Sequence, residues 1–510
     1  MNNEIISRSP FGKEYRSLSD EPQEASRLVD FVSDWEGKVV AIQGLGFVGS
    51  AMAAAVASAR DSQGGPLYKV IGVDLNDAVN GWKIGRTNEG RPPVGTTDSR
   101  MEDAFREANK AGNLIATYSD YAYALADVVV VDIHLDIHKQ QLGHSRDYSF
   151  NYESFKTALQ IVADNVQEDT LVLIETTVPP GTTEKVAQPI FEKTFVERGL
   201  DPNKVRLAHS YERVMPGPNY LDSIINYYRA FAGIDPESSY RAREFLSSFI
   251  NTSDFPLSEL HNPRSSEMAK VLENSYRAMN IAFIKEWAEF SQNADVDLFQ
   301  VLEAIRVRKT HSNIMSPGFG VGGYCLTKDS LLADWSYRCL FGSGDHLEMS
   351  LDAIEINDFM PRMTLDLVQK YYGDLRNKRM VLLGISYLND VADTRYSPSE
   401  YFVTLAEQEE ALVVAHDPLV KVWDDKDVPV ENDLTHSIYR DAEVVVVAVR
   451  HQDYLSLDAK DYRMLFPNMR LLVDANDVVE DRKARQLTED GITVLGLGKG
   501  HWKKWNRCHE

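Results

Sequence analysis

Cysteine is scarce in this 510-residue chain. Its three copies, Cys325, Cys339 and Cys508, lie too far apart for a metal motif and are too few for a disulfide framework. A reducing, cytoplasmic setting is therefore expected, with no bound metal. Basic residues are also in deficit, 54 Lys+Arg against 77 Asp+Glu, for a formal net charge of -23. Such a surface repels nucleic acid and anionic membranes, so neither is expected as a partner, and an anionic substrate would need a locally basic pocket. No apolar run approaches membrane-spanning length, and there is no short repeat or low-complexity tract. The opening residues, MNNEIISRSPFGKEYRSLSDEPQ, lack an apolar core ahead of a cleavage site, so no signal peptide is expected. The chain as a whole, 43% hydrophobic and 26% charged, is ordinary for a globular protein, and the length suits two or three domains.

Residues 1–36 read as an added arm whose second half has helical apolar spacing, with Leu28, Phe31, Val32 and Trp35 on one face. A buried-strand pattern, KVVAIQ, then leads into GLGFVG (Gly44, Leu45, Gly46, Phe47, Val48, Gly49) and the small apolar helix pattern AMAAAVASAR. A second strand, YKVIGVD, ends in Asp74. Strand, G-x-G-x-x-G, helix and a downstream carboxylate together predict dinucleotide binding: the glycines admit a diphosphate to a helix N-terminus, and the carboxylate grips a ribose. Asp74 would repel a 2′-phosphate and so argues for NAD over NADP.

Three more strands, DVVVVDIH, TLVLIETTV and KVRLAHS, alternate with helical patterns, as in a doubly wound parallel sheet. Thr176, Thr177, Pro179 and Gly181 fall at one strand end, and Glu212, Arg213, Pro216 and Gly217 just past another; His134 and Asp136 end a third and stay unassigned. Residues 263 to about 300 read as one long helix with apolar residues on more than one side, suited to linking domains or pairing with a second copy. Lys270 and Asn274, four apart, share a face of it. Beyond Lys370–Lys378 come more short parallel-type strands, a second and smaller α/β domain in which Gly384 stands alone. The basic, aromatic tail KGHWKKWNRCHE is expected to be loose.

The stretch SPGFGVGGYCLTKD, Ser316–Asp329, brings four glycines up to Cys325, then Lys328 and Asp329. A lone buried cysteine is usually structural. A glycine loop with an ammonium and a carboxylate within a turn suits an activated nucleophile instead.

Taken in order, GLGFVG, ETTVPPGTT, YERVMPG, EMAKVLENSYRAMNIAF, GFGVGGYCLTKD, EINDFMP, LLGISYLNDVADTRYSP and AHDP make the chain resemble the UDP-glucose/GDP-mannose dehydrogenase family, the nucleotide-sugar 6-dehydrogenases, along nearly its whole length after the arm. The resemblance implies two Rossmann-like doubly wound domains joined by a long central helix, with residues 1–36 as arm, 37–260 binding NAD, 261–372 forming a helical dimerisation region with the cysteine loop, and 373–510 binding the nucleotide sugar. It implies a homodimer, and four-electron oxidation of a sugar C6 hydroxyl to the acid. Cys325 would be the nucleophile; Lys270 and Asn274 would hold the reacting oxygen and water; Asp329 would assist proton transfer. Glu212 would orient substrate or activate water, and Thr177 would line the reaction centre. Lys328 and Arg395 would approach NAD, while Arg213, Phe319, Gly320, Gly322, Gly323 and Tyr324 would contact substrate. A basic residue reaching the partner subunit is expected among Arg306, Arg308, Lys309 and His311.

The sugar is the open question. YERVMPG, with Pro216 where UDP-glucose enzymes of the family tend to carry a second glutamate, resembles the UDP-N-acetylhexosamine branch, whereas the Lys328-Asp329 ending resembles the UDP-glucose type. Leu388 stands where the family often has lysine, Asn476 where it often has arginine, and Tyr324 is bulkier than the usual residue. The expectation is a UDP-N-acetylglucosamine or UDP-N-acetylmannosamine dehydrogenase, with UDP-glucose 6-dehydrogenase, a two-electron β-hydroxyacid dehydrogenase and a catalytically silent NAD or nucleotide-sugar sensor as alternatives.

Overall fold

The computed structural model describes residues 4–423 and 426–506. Two compact units emerge. One is built from the chain up to Ile137 with Phe150–Val271 and Trp335–Ser343; the other from His138–Ser149, Leu272–Asp334 and the chain from Gly344 onward.

In the first unit, eight strands form one sheet: Lys38–Gln43, Tyr68–Val73, Leu114–Thr117, Val128–Val131, Leu171–Ile174, Arg206–Ser210, Ala230–Gly233 and Ser258–Glu259. Counted in chain order, they lie side by side as 3-2-1-4-5-6-7-8. All neighbours are parallel except the sixth and seventh. The order reverses between the first and fourth strands, which leaves a crevice at their carboxyl ends. Strands buried on both faces need apolar residues at every position. Accordingly Val40 and Ile42 face one core with Met52, Phe105 and Phe245, while Val39 and Ala41 face the other with Phe155, Phe191 and Leu207.

The arm's expected helix is present as Glu21–Val32, capped by Asp20, with Leu28 buried and Phe31, Val32 and Trp35 packed on the same core. Ahead of it lies a hairpin, Glu4–Arg8 with Glu14–Leu18, that has no counterpart among the expectations. Ser7 Oγ donates to the Ala78 carbonyl at 2.9 Å and Ser17 Oγ to Asn76 Oδ1 at 2.6 Å, so the hairpin clasps the segment just after Asp74.

The second unit has a five-stranded parallel sheet, Arg379–Leu383, Leu412–His416, Val444–Val447, Leu471–Asp474 and Thr493–Gly496, in the spatial order 2-1-3-4-5. It too is doubly wound, with a core on each face. Gly384, after its first strand, has φ +97°, and a Cβ there would fall 2.4 Å from that of Val449.

The helix Pro263–Asn293 joins the units along the chain. It stops before the expected 300, because Asp295 takes a left-handed φ of +56° and Asp297 caps a new helix, Leu298–Arg306, through the amides of Phe299 and Gln300. The tail also departs from expectation. Trp502 is 1% exposed and stacks on Trp505, so the chain stays packed through residue 506. Cys508 lies outside the described residues. Among the described residues, no helix is long and apolar enough to cross a membrane.

Candidate functional site

At the carboxyl end of Lys38–Gln43 the chain turns through Gly44 into the helix Phe47–Ser58. Gly44 has φ +96°, and a Cβ there would lie 2.6 Å from the Asp132 carbonyl oxygen. A Cβ at Gly49 would lie 1.8 Å from the Gly44 carbonyl oxygen, so helix and turn touch only because that residue is glycine. At Gly46 a Cβ would meet nothing within 4 Å. That opening, in front of the helix amides of Phe47 and Val48, fits the diphosphate of a dinucleotide. Leu45 is buried against Gly72, and its amide donates to Asp74 Oδ2 at 2.9 Å. Asp74 also accepts the Leu75 amide at 2.8 Å and the Lys83 ammonium at 3.2 Å, which hold it rigidly at the strand end.

The next strand ends carry the other first-unit candidates. Thr177 is buried there, whereas Thr176 Oγ1 is committed to the Val131 carbonyl at 3.2 Å. Glu212, just past Arg206–Ser210, accepts the Val214 amide. Lys270, from the long helix, donates to the Glu212 carbonyl at 2.7 Å and lies 3.4 Å from its carboxylate. Arg213 lies over the rings of Tyr211 and Tyr227, at 4.9 and 5.5 Å, and donates to the Tyr228 carbonyl.

Behind these sits a cluster of buried charge with no counterpart among the sequence candidates. Asp132 follows Val128–Val131, Glu175 follows Leu171–Ile174, and Arg229 precedes Ala230–Gly233. Arg229 donates to Glu175 Oε1, with side-chain exposures of 2% and 0%. Neither carboxylate oxygen of Asp132, nor Glu175 Oε2, meets an N–H or O–H donor among the described residues, and all three are buried. Burial, reinforced by Glu175 and Glu212, holds the Asp132 carboxyl well above the usual range. Glu175 is pushed up to about 7, burial outweighing the attraction of Arg229. His209, bonded through Nδ1 to Ser266 Oγ at 2.9 Å, is pushed down to about 3 by burial and by the Lys270 charge, and is neutral.

In the second unit, Cys325 is exposed and its carbonyl accepts the amides of Lys328 and Asp329 at 3.2 and 3.0 Å, a turn that opens the helix Asp329–Trp335. Asn274 Nδ2 donates to Asp329 Oδ2 at 2.6 Å, and Asp329 is 1% exposed. Lys328 is buried, 4.1 Å over the Tyr324 ring and 3.8 Å from Asp329 Oδ1. The glycine run lets the loop press onto residues 387–398: a Cβ at Gly320 would reach Pro398 at 2.4 Å, at Gly322 Tyr387 at 2.6 Å, and at Gly323 the Tyr387 ring at 2.7 Å. Arg395 accepts the Gly323 amide on its carbonyl at 3.2 Å and pairs with Asp393, and its guanidinium lies within electrostatic range of the Cys325 thiol. Tyr324 and Tyr396 are ring neighbours, 6.0 Å apart. The Phe319 side chain is 2% exposed and packs on Phe402, so it anchors the loop in the core and leaves the backbone as the part of Phe319 that can face a ligand.

Comparison with known proteins places three regions of the chain in one family. Three domain models of the UDP-glucose/GDP-mannose dehydrogenase family match: the NAD binding domain over residues 38–248, the central domain over 264–358 and the UDP binding domain over 381–481. A UDP-N-acetyl-D-mannosamine dehydrogenase of Methanococcus aeolicus is 27% identical over 91% of this chain and 96% of its own. One from Pyrococcus horikoshii is 26% identical over 90% and 99%. The crystal structure of NDP-N-acetyl-D-galactosaminuronic acid dehydrogenase from Methanosarcina mazei Go1 superposes with a TM-score of 0.77 at 26% identity, covering 94% of this chain and 99% of that one.

Proposed function

This chain belongs to the UDP-glucose/GDP-mannose dehydrogenase family as an NAD-dependent nucleotide-sugar dehydrogenase, and on that premise we propose that it oxidises the C6 hydroxyl of an N-acetylated UDP-hexosamine to the uronic acid through a thioester on Cys325. The carrying observation is an exposed thiol within electrostatic range of the Arg395 guanidinium, one turn from the buried Asp329, whose carboxylate accepts from Asn274. A neighbouring cation favours the thiolate, the nucleophilic form. UDP-N-acetylmannosamine is the first candidate and UDP-N-acetylglucosamine the second, because relatives from M. aeolicus and P. horikoshii bear the mannosamine name.

Bound NAD supplies the hydride acceptor, once for each of two turns. In the first, the C6 alcohol loses a hydride and its hydroxyl proton and becomes an aldehyde. An aldehyde has no second hydride to give until a nucleophile adds, so the Cys325 thiolate attacks it to form a thiohemiacetal. Loss of the second hydride leaves a thioester, and water releases the acid and restores the thiol. One alcohol, one water and two NAD thus give one carboxylate, two NADH and three protons. Lys270 stabilises the developing alkoxide, Glu212 holds Lys270, and Asp329 with Asn274 moves the proton of the hydrolytic water. Wild-type enzyme should yield two NADH per sugar, and Cys325→Ala should stop at the aldehyde. A Cys325→Ala variant that turns isolated aldehyde into acid at the wild-type rate would refute the thioester route. A preference for GDP-mannose over UDP-sugars would overturn the sugar assignment.

The same reading includes a homodimer. Met268, Leu272, Tyr276, Phe283, Trp287 and Phe290 are 46–62% exposed, an apolar stripe about 33 Å long on the central helix. Exposed apolar area of that extent on one helix suits a second copy of itself.

A further inference from the structure

Asp132 and Glu175 directly follow the register partners Val131 and Ile174 on neighbouring strands, so their buried carboxyls lie side by side inside the first unit, and Glu175 raises the proton affinity of Asp132. An ionised carboxylate only accepts, so two of them cannot bond unless one carries a proton. Charge balance asks for the same proton. The groups that face the pair are Arg229 from the seventh strand, Glu212 beyond the sixth, and Lys270 from the long helix. His209 is neutral and adds nothing. Two cations stand against three carboxyls, so the cluster is neutral when one proton stays in it and carries one negative charge when that proton leaves. Glu212 is already held by Lys270, and Arg229 holds Glu175, which leaves the proton between Asp132 and Glu175.

The pair's place in the sheet gives this proton a use. Asp132 and Glu175 end the fourth and fifth strands, and the Asp132 backbone lies against Gly44 at the diphosphate turn. In a doubly wound sheet one half of a dinucleotide lies over the strands before the reversal and the other half over those after it. Asp74 takes the adenosine half, so the pair lies on the nicotinamide half.

We propose that Asp132 and Glu175 form a one-proton carboxyl pair, positioned by Arg229, that ties a proton to the charge of the nicotinamide ring. NAD with its cationic ring favours the fully ionised, negative cluster and drives the proton out to solvent. NADH, with a neutral ring, lets the pair keep it. Hydride transfer therefore raises the pair's proton affinity at the step that frees a proton from the substrate. Asp132 and Glu175 are positioning residues here, since neither is placed on the reacting atoms. The inference rests on NAD binding by this domain and is independent of the thiol chemistry.

The test is binding calorimetry of the full chain with NAD and with NADH, near neutral pH, in phosphate and in Tris. These buffers differ in ionisation heat, so the difference between them counts protons released. NAD should release a sizeable fraction of one proton and NADH clearly less. The NAD-to-NADH affinity ratio should rise with pH, by at most about tenfold per unit across the neutral range. Glu175→Gln and, separately, Asp132→Asn should flatten that slope and abolish the difference in proton release. Equal release with NAD and NADH in the wild type would overturn the proposal, and that measurement needs no variant to fold. An unchanged pH slope in both variants would overturn it as well.

Discussion

Two glycines in one turn should fail in different ways when each is given a methyl group. In Gly49→Ala the new carbon would sit 1.8 Å from the Gly44 carbonyl oxygen and 3.3 Å from Ile42 Cγ2. Non-bonded heavy atoms prefer about 3.5 Å, so helix and turn must part by more than an ångström. Alanine inside a helix gains about 0.5–1 kcal/mol over glycine, while forced overpacking costs about 1–3 kcal/mol or more. A net loss of about 1–2 kcal/mol lowers the melting temperature of a unit this large by roughly 2–4 °C. The displaced amides should also weaken NAD binding by about tenfold, or about 1.4 kcal/mol. Gly46→Ala is the control. Gly46 has ordinary extended backbone, φ −76° and ψ −162°, and a Cβ there meets nothing within 4 Å. That variant should melt like wild type yet bind NAD at least about tenfold more weakly, because its methyl fills the space kept for the diphosphate. Thermal unfolding and an NAD titration on both variants decide the matter. If Gly49→Ala melts unchanged, the packing argument is wrong; if Gly46→Ala binds NAD normally, the diphosphate does not lie over that turn.

Glu267 is fully buried and accepts the Gly181 amide at 2.5 Å and the Thr183 amide and hydroxyl at 2.8 and 2.7 Å, yet burial outweighs these bonds and pushes it up to about 7. A raised carboxyl pKa means its contribution to stability is fully present below about 4.5 and lost as pH rises through about 7, up to about 3 kcal/mol in all, and denaturant unfolding of Glu267→Gln should show a shallower decline across that window than wild type; identical curves would remove Glu267 as the cause. For the proposed subunit contact, Phe283→Glu with Trp287→Glu places two charges among ring neighbours 6.1 and 5.9 Å apart and should halve the sedimenting mass without unfolding the protomer; a double variant with the sedimenting mass of the wild type would refute this interface.

Legibility in this chain follows the distance over which each physical demand acts. The dinucleotide turn could be read from residues 38–74 because two of its contacts are made within that stretch: Gly49 packs on Gly44, and Asp74 reaches back to Leu45 through one crossover. Both sheets were legible for a similar reason, since strands buried on two faces must be apolar throughout. Phe319 shows what motif reading leaves out. Among four glycines it reads as part of a ligand-facing loop, but a large apolar ring beside an available core enters the core, and only the contact with Phe402 reveals it. The tail misled the other way: its lysines suggested a loose end, while Trp502, the residue with most apolar surface to bury, decided the outcome. The carboxyl pair was out of reach of any local pattern. Asp132, Glu175 and Arg229 each read as an ordinary polar residue bounding a strand, and nothing in their spacing marks them as a set. They meet because Val131 pairs with Ile174 in the sheet register, which puts the next residue of each strand side by side. A charge at a strand end is unremarkable alone; three that converge at the carboxyl edge beside a nucleotide turn become a unit only once the strand order is known.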